Sequence, residues 1–161
     1  MTNALHRWLV LLLMVGAASL SACGAEDAGA WIRAAAEDSA AADEALAEGR
    51  PEEARTRLES LLARTPSDAV AAEDSRVVRQ DAHERLARIA LVARDLSEAE
   101  RQVASGLALG ARQDLFTGNL YTTRGQLREA QGRDREASED YHRALLISEA
   151  LLEGALGGND D

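Results

Sequence analysis

One apolar spacing occurs three times along this chain, and it constrains the fold more than any other feature. Ala54, Leu58, Leu61 and Leu62 fall at i, i+4, i+7 and i+8. Ala99, Val103 and Leu107 repeat those positions with Gly106 in the third slot, and Ala137, Tyr141, Ala144 and Leu145 repeat them again. Side chains so spaced share one face of a helix. Twelve residues before each leading alanine stands another small residue, Ala42, Ala87 or Gly125, in the middle of a preceding helical stretch, where two backbones can approach closely. Five residues before the alanine stand Gly49, Arg94 and Gly132. Glycine there suits the left-handed end of a helix. Each unit therefore predicts a helix, a tight turn and a second helix.

Composition agrees with a wholly helical chain. Alanine and leucine carry most of the apolar content, aromatic residues make up 3%, and the only prolines are Pro51 and Pro66. That balance favours helices over sheets. The expected fold class is all-α, with six helices over about 29–48, 51–64, 68–93, 97–109, 114–131 and 134–154. Pro51 suits a first helical turn, Ser97 with Glu100 reads as a capping box, and Asp134 reads as a cap.

The three units resemble the tetratricopeptide repeat, over about Asp38–Pro66, His83–Leu109 and Gly118–Glu149. The third carries Tyr121, Gly125, Gly132, Ala137, Tyr141, Ala144 and Leu145 in the family's spacing. It departs at Arg124 and Arg128, where the family usually has a leucine and a tyrosine. The leading alanines are 45 and 38 residues apart, against a family period of about 34. The surplus is close to three helical turns and one turn, so it can lengthen a helix without rotating its buried face. Ser67–Gln80 is read as such an extension of the third helix, capped by Ser67 or Asp68.

The first twenty-two residues read as an export signal. His6 and Arg7 precede an apolar run, Trp8–Ala17, too short to span a bilayer as a permanent helix. Leu20-Ser21-Ala22-Cys23 then resembles the lipobox of bacterial lipoproteins, and Cys23 is the only cysteine in the chain. The resemblance implies cleavage before Cys23 and its modification with fatty acyl chains such as palmitate. Each buried methylene contributes about 0.8 kcal/mol, so two or three chains hold a protein firmly. The expected location is the cell membrane or the outer membrane, lipid-anchored and facing the periplasm. Residues 23–29 read as a short tether, 30–156 as the repeat domain and 157–161 as an acidic tail.

Without the signal, 17 arginines face 28 carboxylates, a net charge of −11. Nucleic acid is therefore not an expected partner, and an acidic surface offers anionic lipids no basic patch. The sequence also offers no catalytic constellation. No cysteine remains beyond the lipobox, lysine is absent, and no serine lies in a Gly-x-Ser-x-Gly turn. Glu139 and His142 form a single Glu-x-x-His spacing, which in di-metal bundles must occur twice. Neither an enzyme, a metal nor a cofactor is expected.

What remains is binding. The repeat resemblance implies a concave face lined by the first helix of each unit. Carried onto this sequence, that face holds Asp43, then Asp81, Glu84, Arg85 and Arg88, then Asn119, Thr123 and Gln126. Arg85 and Arg88 are expected either to grip a partner's carboxylate or to pair with Asp81, Glu84 and nearby acids. A second candidate surface is the last helix. There Leu145, Leu146, Ile147, Leu151, Leu152 and Leu156 outrun the repeat, either capping the core or receiving a partner or a second copy. The expected role is an adaptor for envelope proteins. The same groove admits a small or peptidoglycan-related ligand, or docking as a non-catalytic subunit of an envelope enzyme.

Overall fold

The structure, a computed structural model, describes residues 28–157. The expected export signal, the lipidation expected at Cys23 and the tail beyond 157 lie outside the described residues. Helix α1 covers 28–47, so residues 28 and 29 belong to it rather than to the tether. It is followed by α2 (Pro51–Ala63), α3 (Ala72–Val92), α4 (Leu96–Ala108), α5 (Leu115–Ala130) and α6 (Asp134–Gly157). The chain is all-α among these residues, as the sequence predicts, and α6 runs three residues past its expected end.

The three tight turns are the same turn. Gly49, Arg94 and Gly132 all have left-handed backbones, with φ of 73°, 62° and 72°. Behind each runs the same pair of hydrogen bonds. Arg50 N donates to Ala45 O, Asp95 N to Ala90 O and Arg133 N to Arg128 O; Gly49, Arg94 and Gly132 donate to Leu46, Leu91 and Glu129. This is a Schellman closure, which satisfies the last carbonyls of the first helix while reversing the chain. Pro51 then begins α2 at its first turn. Asp95, not Ser97, caps α4, accepting from Glu98 N at 3.0 Å, and Asp134 lies inside the first turn of α6 rather than capping it. The left-handed residue ends α3 at this point, and it leaves Asp95 at the N-cap, from which its side chain accepts from a free amide of the first turn.

Three hairpins result, α1–α2, α3–α4 and α5–α6, and they stack. Ala42, Ala45, Ala54, Leu58, Leu61, Leu86 and Ile89 form one core across α1, α2 and α3, while Ala90, Ala99 and Leu127 join α3, α4 and α5. The small residues sit where the spacing requires them. Ala42 and Ala87 are fully buried, and a methyl on Gly125 would overlap the Tyr141 ring across the α5–α6 contact. Gly106 is also closely held, between Leu120 and His83, which brings α3, α4 and α5 together.

The surplus residues behave differently from a simple extension. Val70 is buried and its N donates to Ser67 O, so the chain turns over after Pro66 and α3 begins only at Ala72. Pro66 separates this stretch from α2, and the turn that buries Val70 keeps residues 67–71 out of α3. The helical part, Ala72–Gln80, works as a latch. Arg76 pairs with Glu73 and Asp114, and Gln80 Nε2 donates to Gly106 O and Gly110 O, each at 3.1 Å.

Arg124 and Arg128 keep their place in the third hairpin by bringing a counter-ion. Both converge on Asp140 of α6, which is 0% exposed. Arg124 donates to its two oxygens at 2.8 and 2.6 Å, Arg128 lies at 2.7 Å, and Arg143 at 3.2 Å. The Arg124 guanidinium also lies 5.0 Å from the centre of the Tyr121 ring.

Candidate functional site

The first helices of the three hairpins face one side and line an open cleft of about 560 Å3. Ser39, Asp43 and Leu46 of α1, Asp81, Glu84, Arg85, Arg88, Ile89 and Val92 of α3, and Asn119 of α5 line it, with Pro51 at one edge. Six of the expected residues therefore meet there: Asp43, Asp81, Glu84, Arg85, Arg88 and Asn119. Two do not line it. Thr123 is buried, and its hydroxyl donates to Glu84 Oε1 at 2.8 Å. Gln126 is exposed one turn further along α5.

The two arginines have different jobs. Arg85 is 11% exposed at its side chain and bridges α3 to α1, donating to Ser39 Oγ at 2.7 Å and pairing with Asp43. A weaker contact of 3.6 Å joins it to Asp81. It is thus an internal clamp rather than a grip for a ligand. Arg88 is 66% exposed, and its nearest carboxylate, on Glu84, is 3.9 Å away.

The carboxylates of the floor are under-compensated. Burial pushes Asp81 above the ordinary aspartate value, opposed by the Arg85 charge. Burial likewise raises Glu84, opposed by the Thr123 hydrogen bond and then by Arg88. The one hydroxyl lining the cleft, Ser39, accepts from Arg85, and the chemistry the lining offers is recognition of charge.

No family model, no curated protein and no solved structure matches this chain.

The sequence reading missed the apolar half of the cleft. Leu46 on α1 and Ile89 and Val92 on α3 supply it, and Val92 is 87% exposed. Their signal was present but ambiguous, because Leu46 and Val92 end apolar runs that otherwise enter the core.

Outside the cleft, Ile147 is buried and meets Gly118, whereas Leu145, Leu146, Leu151, Leu152 and Leu156 are exposed. Leu145 and Leu152 therefore do not cap the core. His83 turns toward α4, with Nδ1 2.7 Å from Gln102 Oε1, and burial lowers its pKa. Among the described residues no helix is long and apolar enough to cross a membrane, and no group of three or more His, Cys, Asp or Glu is arranged to hold a metal ion.

Proposed function

We propose that this chain is a lipid-anchored adaptor of the bacterial envelope, a short tetratricopeptide-like array that holds a segment of another envelope protein in its cleft. The observation that carries the reading is the common cleft. Three hairpins closed by the same turn line up their first helices, and together they leave a charged floor and an apolar wall open to a partner. An open groove with a charged floor and an apolar wall is suited to holding a polypeptide segment.

The Leu20-Ser21-Ala22-Cys23 sequence supports the anchor. Acyl chains on Cys23, a few residues before α1, would keep the array close to the lipid surface, facing the periplasm, without any basic patch on the domain.

The test is photocrosslinking in intact cells from a reporter at Val92, with a second reporter at Glu139 on α6. The proposal expects a discrete protein adduct from Val92 only. A Val92 reporter that captures nothing, or no more than the Glu139 reporter does, contradicts it. Labelling with a clickable fatty acid tests the anchor, and it should appear on the wild type and vanish in Cys23→Ser.

A further inference from the structure

The cleft carries enough chemistry to say what kind of segment it takes, and this inference rests on the adaptor reading. Its only deeply fixed cation, Arg85, is turned toward α1 and committed to Ser39 and Asp43. Arg88 reaches out into solvent and touches Glu84 only at 3.9 Å. What faces the cleft from the middle of α3 is therefore the carboxylate pair Asp81 and Glu84, one helical turn apart, with Glu84 9% exposed at its side chain and held in place by Thr123. Toward the C-terminal end of α3 the lining changes character, to Ile89 and Val92 with Leu46 opposite.

We propose that the partner segment places a lysine or arginine over Asp81 and Glu84 and an aliphatic side chain between Leu46 and Val92. Eight helical residues separate Glu84 from Val92, so the two anchors lie about 12 Å apart. That matches a basic and an aliphatic residue two turns apart on a helix, or about four apart in an extended strand. A cation entering there replaces the water lost by two partly buried carboxylates, whereas an anion meets both of them and finds only the exposed Arg88. The partner is thus basic and apolar, complementary to a chain whose formal net charge is −10.

The experiment uses the full chain, purified from membranes and held in phosphatidylcholine nanodiscs, with empty nanodiscs as blank. Two synthetic amphipathic helices of equal length serve as probes, one of leucine and lysine and one of leucine and glutamate, and binding is read by fluorescence anisotropy. The leucine–lysine helix should bind, and the leucine–glutamate helix should bind at least about tenfold more weakly, since each tenfold step is about 1.4 kcal/mol. Asp81→Asn and Val92→Ser should each weaken the first by about fivefold or more. Glu139→Gln, outside the cleft, should leave it unchanged. Equal binding of both helices, or equal sensitivity to Asp81→Asn and Glu139→Gln, overturns the inference, the second by revealing only diffuse attraction to an acidic protein. Those results leave the adaptor reading standing if Val92 still captures a protein in cells; absence of that capture removes both.

Discussion

Glu84 shows how one residue can serve the site at a cost to the fold. Its carboxylate is buried and holds the Thr123 hydroxyl, and burial raises its pKa. An acid whose folded pKa is raised binds its proton longer when folded than when unfolded. Stability is therefore lost as pH rises from the ordinary value of 4.5 to the raised folded value, and stays lost above it. Glu84→Gln keeps an acceptor for Thr123 and removes that loss. Thermal unfolding should find the variant more stable than wild type at pH ~7, with the gap closing as the pH falls below the ordinary glutamate range. A variant less stable at both extremes would mean that Glu84 is favourably paired.

Arg85 and Arg88 mark how far residues could be read from the sequence. Their place on the concave face was legible, because helical register alone puts 81, 84, 85 and 88 together. Their division of labour was not, since it depends on Ser39 and Asp43, which lie 46 and 42 residues from Arg85 and reach it only through hairpin stacking.

At the scale of elements, the hairpin turn is the unit the chain repeats. Its second copy has Arg94 where the others have glycine, yet the backbone is the same left-handed one. A side chain in that conformation costs about 1 kcal/mol. Arg94→Gly should therefore raise the midpoint of urea unfolding by an amount corresponding to about 1 kcal/mol, while Gly49→Ala and Gly132→Ala lower it by a similar amount. An Arg94→Gly variant less stable than wild type would show that the three turns are not equivalent.

Helix number and limits were legible because alanine, small-residue and glycine positions agreed with one another. The start of α3 was not, because Ser67 and Asp68 are good capping residues and the local sequence does not reveal that Val70 is buried. The ion cluster around Asp140 did leave a signal. Arg124 and Asp140 stand eight residues either side of Gly132, and Arg128 and Glu136 four either side, so folding the hairpin at Gly132 brings each pair face to face. The contact between α5 and α6 there is thus a set of arginines packed around a buried carboxylate.

For the whole molecule, stacking does what no single hairpin can. Each first helix contributes one strip to the cleft, and only the array joins the carboxylates of α3 to the apolar residues shared by α1 and α3. The surplus turns of α3 tie that array at its far side, through Arg76 and Gln80 to the α4–α5 connection. A latch there keeps the third hairpin, and with it Asn119, in line with the first two. The exposed leucines of α6 lie away from the cleft and form a separate surface.

The proposed adaptor role requires that the cleft, and not α6, hold the partner. The most direct measurement compares what co-purifies from crosslinked membranes with the wild type, with Leu46→Ser/Val92→Glu, and with Leu145→Ser/Leu152→Glu, each first shown to melt like wild type. The account predicts one envelope protein retained by the wild type and by the α6 variant and lost from the cleft variant. Loss from the α6 variant alone, with the cleft variant retaining the protein in full, would contradict it.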